Sequence, residues 1–338
     1  MSELVFDEVS VRYGTRHHAL TAVDGASLTV PSGQVVGLVG ESGSGKSTLA
    51  RAAVGLAPVS AGRILLDGND VRRPRGRHRP VQMVFQDPYS SLDPRMSIGD
   101  SIAEALPRER GRGRGRGLGG KAVRRAEVAR LLEQVSLDPE RAVLLPGQLS
   151  GGQRQRVAVA RALAGQPQVV IADEITSALD VSVQGAVLNT VRDVQRQLGL
   201  TVLFISHNLA VVRYLSDHIA VMYLGRIVEA GPTEEVLADP RHPYTRDLLA
   251  AVPSRTSPAA GFGPPAPEPA ALAASEPADP HHPPPGCHYH PRCPAGPLVH
   301  AGRDLCRTAD PAEGAGQRPH RAACHFTTPV PPSPSLRP

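Results

Sequence analysis

Tryptophan is absent from this 338-residue sequence, and aromatic residues make up only 3% of it. That shortage counts against binding of single-stranded nucleic acid, which needs aromatic platforms for base stacking. No apolar run approaches the ~20 residues required to cross a bilayer. The longest, such as Val81–Phe85 and Thr201–Ile205, have strand length. A secretory leader is not expected either, because Glu3, Asp7 and Glu8 stand where a basic n-region belongs. The chain is therefore expected to be cytosolic or peripheral and to form no pore of its own. Cysteine is missing before Cys287. The four present, Cys287, Cys293, Cys306 and Cys324, crowd into the C-terminal part. In a reducing compartment such clustering points to metal binding more than to disulfides.

The formal net charge of +5 is local. Arg72, Arg73, Arg75, Arg77 and Arg79 form one basic run, and a second lies in residues 108–125, so the remainder is net acidic. Runs of this kind are solvated loops or contacts for anionic lipid or nucleic acid.

Residues 1–252 read as one domain of alternating strands and helices. Leu4–Val11 alternates apolar and polar residues like a half-buried strand. Val35–Val39, Ile64–Leu66, Val81–Phe85, Val169–Ala172 and Thr201–Ile205 read as further strands. Helices are expected at Lys46–Leu56, Ile98–Leu106, Ala122–Val135, Gln153–Ala164 and Val181–Leu198. Val/Ile-rich strands alternating with helices predict an α/β fold with a mostly parallel sheet covered on both faces. Arg108–Gly120 reads as a flexible Arg/Gly insertion, residues 253–286 as a Pro/Ala-rich linker, and residues 287–338 as a Cys-containing extension.

Two segments carry chemistry by residue type and spacing. Gly40-Glu-Ser42-Gly43-Ser44-Gly45-Lys46-Ser47-Thr48 fits the phosphate-loop pattern and lies between an expected strand and an expected helix. Its glycines let successive N–H groups turn toward phosphate oxygens, and the helix N-terminus adds partial positive charge. Lys46 is placed to reach the β- and γ-phosphates of ATP, and Ser47 to offer a hydroxyl to Mg²⁺. Asp173 and Glu174 end an apolar strand, where ligands of open α/β sheets bind. There Asp173 can hold Mg²⁺ and Glu174 can act as a general base.

Leu149-Ser150-Gly151-Gly152-Gln153 opens a helix; its Ser and glycines suit an anion contact or an ordinary N-cap. The pentapeptide is identical to the signature of ABC ATPases, and the order phosphate loop, signature, Asp-Glu strand end resembles that family. The resemblance implies a RecA-like core with an antiparallel β subdomain and a helical signature subdomain. It implies that Gln86 is the Q-loop residue, also near Mg²⁺, that Ser177–Asp180 is the D-loop, and that His207 is the switch histidine. Tyr13 would stack on adenine. Ile175 departs from the family's usual Pro and should alter loop stiffness more than chemistry. Ser150, Gly151, Gly152 and Gln153, with Asp180, would meet ATP bound on a second copy of the fold.

The segments Phe85–Met96, Arg241–Pro253 and Gly286–Pro294 resemble the ATP-binding subunits of oligopeptide and dipeptide importers. Nickel and glutathione importers share that ATPase type. Implied partners are two transmembrane permeases, a second ATP-binding subunit in a heterodimer, and an extracellular solute-binding protein, with no nucleic acid. The implied location is peripheral, on the cytoplasmic face of the cell membrane. A soluble ABC protein of translation or DNA repair is the rival, but it generally carries two cassettes or a large insertion, whereas one phosphate loop and one signature occur here. An inactive nucleotide binder is the other rival, and Lys46, Asp173, Glu174 and His207 speak against it. In the resembling importers four Cys hold a four-iron four-sulfur cluster, and four thiolates are its usual ligands. Zn²⁺ is an alternative, with His288, His290 and His325 nearby, and four free thiols are another. The Cys-x12-Cys gap departs from the family spacing.

Overall fold

The structure is a computed structural model that describes residues 2–15, 18–72, 79–87, 91–107, 118–177, 179–251, 279–311 and 319–327. Two sheets organise it. Strands β1 (Leu4–Thr15), β2 (His18–Val30), β4 (Val59–Leu66) and β5 (Asn69–Asp70) form an antiparallel sheet in the order β2-β1-β4-β5. The larger sheet holds β3 (Val35–Val39), β6 (Val81–Val84), β7 (Val169–Asp173), β8 (Thr201–Ile205), β9 (His218–Tyr223), β10 (Arg226–Pro232) and β11 (Arg321–Ala322). Its order is β11-β10-β9-β3-β8-β7-β6. Pairing is parallel from β6 to β9 and antiparallel from β9 to β11.

β3, β7 and β8 are buried at every position, which is why they read as unbroken apolar runs. Successive side chains of a strand leave on opposite faces. Val35 and Val39 accordingly join one core, and Val36 and Leu38 the other. The first core is closed by α2 (Ile98–Ala105), α3 (Leu118–Gln134), α4 (Gly151–Ala164) and α5 (Val181–Leu198); the second by α1 (Lys46–Ala53) and the antiparallel sheet.

The main α/β expectation holds, and several local ones need correction. Leu118–Gly120, expected in a flexible insertion, form the first turn of α3; residues 108–117 lie outside the described residues. Extending an existing helix avoids the cost of a new nucleus, and Val128, Leu131 and Leu132 anchor this one in the core, so the two glycines are carried along. Of the expected linker only residues 279–286 fall among those described. β2, β9 and β10 carry no strand expectation above; the register shifts in both the β1–β2 and the β9–β10 pairings. Three short helices close the body: α6 (Leu209–Leu215), α7 (Thr233–Ala238) and α8 (Pro243–Ala250). Asn208 and His242 cap α6 and α8, each accepting a backbone N–H. His242 is wholly buried, and burial above all, with Arg246 adding, pushes its pKa down to about 3, so it caps as a neutral ring.

Residues 279–311 and 319–327 pack onto this body. Tyr289 and Cys293 belong to the same hydrophobic core as β3. Tyr289 sits among Tyr223 and Tyr244, with ring centroids 5.1 and 5.3 Å away. β11 continues the large sheet, and α9 (Leu305–Thr308) carries the buried Cys306. Among the described residues, no helix is long and apolar enough to cross a membrane.

Candidate functional site

Four parallel strands deliver the site. β3 ends at the phosphate loop, β6 just before Gln86, β7 at Asp173, and β8 just before His207. Adjacent pairing of β3, β8, β7 and β6 therefore places these groups along one carboxyl edge of the sheet. Gly45 starts α1 at φ 103, and a Cβ there would lie 2.3 Å from the carbonyl oxygen of Ala22, so only glycine lets the loop turn into the helix at this point.

Lys46 is 4% exposed and folds back on its own loop. Its Nζ donates to the carbonyls of Gly40 (2.9 Å) and Glu41 (2.7 Å) and to Ser44 Oγ (3.3 Å). Burial lowers its pKa, while Glu174, Asp173 and Glu41 work in the opposite direction. Ser47 Oγ donates to Asp173 Oδ1 at 2.9 Å. Asp173 is 2% exposed, and burial raises its pKa despite that hydrogen bond. A buried carboxylate beside a hydroxyl is an all-oxygen donor set with a desolvated negative charge, which fits Mg²⁺.

Glu174 follows in the left-handed region at φ 46, its N–H donating to the carbonyl of Ile205 at 3.0 Å. Its carboxylate meets two other expected residues. Gln86 Nε2 donates to Oε2 at 3.1 Å, and His207 Nδ1 lies 3.3 Å from Oε1. Gln86 also donates to Ser177 Oγ, which in turn donates to the carbonyl of Glu174 (3.2 and 2.9 Å). The next residue, Ile175, is 1% exposed and belongs to the core, so an apolar side chain fills the place of the family's proline.

A cavity of about 690 Å³ gathers Tyr13, Ser42, Gly43, the stretch Gly45–Thr48, Gln86 and Glu174. Gly40 and Ser44 lie beneath as partners of Lys46. The signature does not join them. Ser150 caps α4 in a reciprocal box with Gln153, and Asp180 is an exposed residue at the start of α5. A Cβ on Gly152 would lie 2.3 Å from Val183 Cγ1, so this glycine is required where α4 meets α5. Within one chain, then, Ser150–Gln153 and Asp180 stand outside the cavity.

The structure adds groups that motif reading misses. Glu41 N–H donates to Tyr244 Oη at 2.8 Å, and Arg292 Nη1 lies 3.1 Å from Glu41 Oε2. Pro280, His281, Pro283 and His288 line the same cavity as the phosphate loop. Tyr244, His288 and Arg292 were visible above only within resembling segments, and no local pattern marks Pro280, His281 or Pro283.

The four cysteines are all free thiols. Burial above all pushes the pKa of Cys287 up to about 11 and of Cys293 up to about 12, and neighbouring thiols add to both. Cys306 is raised by burial and by Cys324, and Cys324 by burial. The Cys287 N–H donates to the carbonyl of Cys306 at 2.9 Å. Thiols of this kind are soft donors. Among the described residues, however, no three His, Cys, Asp or Glu side chains stand at spacing that would hold a metal ion.

Comparison with known proteins bears on this geometry. Residues 23–177 match the family model described as ABC transporter, and residues 228–296 match the model for the oligopeptide/dipeptide transporter C-terminal region. An ATP-binding protein of Brucella ovis is 43% identical over 322 residues, covering 92% of this chain and 94% of that protein. The di/tripeptide transport ATP-binding protein DppF of Pseudomonas aeruginosa is 44% identical over 298 residues, covering 85% of this chain and 86% of that protein. Among solved structures, a dimeric post-hydrolysis ATP-binding cassette bound to ADP and Pi superposes with a TM-score of 0.59 at 26% identity, covering 68% of this chain and 98% of that one.

Proposed function

This chain belongs to the family of ABC transporter ATP-binding proteins, and from that membership we propose that it binds and hydrolyses ATP to drive import of di- or oligopeptides through partner membrane permeases. The observation that carries the peptide reading is the match of residues 228–296 to the oligopeptide/dipeptide transporter C-terminal region, present on the same chain as the ATPase motifs. Import of glutathione is the second reading. The glutathione import ATP-binding protein GsiA of Escherichia coli O157:H7 is 52% identical over 237 residues, although the match spans 37% of that protein. Glutathione is itself a peptide, so both readings share one substrate chemistry.

In this reading the phosphate loop wraps the phosphates of ATP, with Lys46 leaving its carbonyl partners for the β- and γ-oxygens. Ser47, Asp173 and Gln86 would hold Mg²⁺, which neutralises phosphate charge when bound. Glu174 takes a proton from water as the water oxygen attacks the γ-phosphorus and the bond to ADP breaks. Gln86 and His207 hold the Glu174 carboxylate in position, and His207 extends to the γ-phosphate. Tyr13 stacks on adenine. Ser150–Gln153 and Asp180, outside the cavity of their own chain, serve ATP on a second ATP-binding subunit. Binding of ATP then closes the pair and hydrolysis reopens it. The subunit works at the cytoplasmic face of the membrane, with two permeases and an extracellular solute-binding protein.

Affinity purification from native membranes tests the assignment. Two permeases and a related ATPase are the expected companions, and adding peptide-loaded binding protein should raise ATP turnover. Recovery of ribosomal or DNA-repair proteins instead would overturn it.

For the extension we read Cys287, Cys293, Cys306 and Cys324 as thiolate ligands of a four-iron four-sulfur cluster, with Zn²⁺ as the alternative. Support comes from the gathering of all four cysteines in one extension, where ligation would relieve the cost of burying thiolates and contribute folding free energy. Among the described residues these side chains do not stand at ligation spacing, so ligation would draw them together. Anaerobic purification followed by visible absorption and metal analysis is expected to give iron and sulfide near four per chain. Zinc near one per chain would replace the cluster reading with the alternative, and no metal under either condition would remove both.

A further inference from the structure

We propose that Arg292, in the C-terminal extension, is a positioning residue for the phosphate loop, so that the extension is a working part of the nucleotide site. The inference rests on reading residues 40–48 as the ATP site. Glu41, the second residue of that loop, is gripped at three points. Its carboxylate faces Arg292 Nη1 at 3.1 and 3.3 Å. Its N–H donates to Tyr244 Oη at 2.8 Å, and its carbonyl accepts from Lys46 Nζ at 2.7 Å. Only the first contact comes from the extension, and 251 residues separate its partners.

Arg292 stands on a fixed base. Tyr289 and Cys293, on either side of it in sequence, are buried in the main core. The guanidinium lies 5.9 Å from the centroid of the Tyr289 ring. The extension also reaches the cavity itself, where Pro280, His281 and His288 share the lining with Tyr13 and Lys46. Two contacts of different kind thus join the extension to one site.

The pair has two effects of the same sign. It fixes the loop before ATP arrives, which lowers the ordering cost of binding. It also neutralises a carboxylate that would otherwise repel the triphosphate from within its own binding loop. Both act on bound substrate and transition state alike, so affinity should move and the chemical step should not.

The test is equilibrium binding of Mg-ATP to the full chain by calorimetry, alongside ATPase kinetics. Arg292→Met is expected to weaken ATP binding and raise KM about five-fold, near the upper limit for a partly exposed ion pair, with little change in kcat. Arg292→Lys should recover most of the affinity. Adding Glu41→Gln to Arg292→Met should also recover it, because the repelling charge is gone; general loosening of the extension would not be repaired that way. Should the Met variant fail to fold, Arg292→Gln drops the same charge and is expected to show the same loss. Affinity within two-fold of the parent protein in the charge-deleted variant, or no recovery on adding Glu41→Gln, overturns the proposal. A parent protein that binds no ATP would instead overturn the ATPase reading.

Discussion

Glu174→Gln is expected to bind ATP and yet lose turnover by about 10²-fold or more, the scale of deleting a general base. The substitution keeps the length of the side chain and a carbonyl oxygen able to accept from Gln86 Nε2, which reaches Glu174 Oε2 at 3.1 Å. It also keeps the backbone at φ 46, where Glu and Gln carry the same burden. What disappears is the capacity to take a proton. Nucleotide affinity rests on other groups, chiefly Lys46 and the loop N–H groups, so it should stay within about two-fold. With chemistry stalled and binding intact, ATP should accumulate between two subunits as a closed dimer visible by size-exclusion chromatography. Measured kcat within a few-fold of the parent protein would remove Glu174 from the role of base. His207, 3.3 Å from the same carboxylate, would be the next group to examine.

The strand-end half of the candidate site was legible for a definable reason. Each of its residues follows a short apolar run, and in the structure those runs are adjacent parallel strands whose ends must meet. Asp173 and Glu174 followed from the rule that ligands sit at strand carboxyl ends, whereas Gln86 and His207 came only from the family resemblance. The phosphate loop was legible because its glycines are demanded by backbone geometry, as at Gly45. Residues of the extension were not legible as parts of the same site. Arg292 and Glu41 lie in loops at opposite ends of the chain, and a single ion pair leaves no periodic trace. His288 read only as a neighbour of the cysteines, and nothing singled out His281. Of the antiparallel strands, β1 showed its alternation but its partner β2 did not, and their register shifts between Phe6 and Arg12. Burial of Ile175 could be anticipated from its type, but its place in the core could not.

Replacing Glu229 by Ala is expected to lower the unfolding free energy by about 3–5 kcal/mol, the range for removing one member of a buried, hydrogen-bonded pair. Glu229 is the knot between extension and body. Its side chain has no exposure, and His320, from the extension, is 3% exposed with Nε2 2.7 Å from Oε1. The same carboxylate accepts the N–H groups of Arg241 at 2.7 Å and His242 at 2.9 Å. Arg241 in turn donates through Nη1 to the carbonyl of His320, also at 2.7 Å. Alanine would deprive one buried N–H, one partly buried N–H and one ring nitrogen of their acceptor, and each buried unsatisfied group costs about 1–3 kcal/mol. Glu229→Gln should fall between, because an amide offers an oxygen on one side but turns a second donor toward a donor on the other. The loss should appear first in the extension, since β11 holds to β10 through only two residue pairs, Glu229 with Ala322 and Ala230 with Arg321. Denaturant titration should therefore show a lower midpoint, and limited proteolysis should cut after residue 279 before the body is attacked. If Glu229→Ala shifts stability by less than about 1 kcal/mol, an ordinary effect for a single substitution, the buried network does not hold the extension. In that case other contacts, among them Arg292 with Glu41, Arg226 with Asp310 and the packing of Tyr289 and Cys293, would do so.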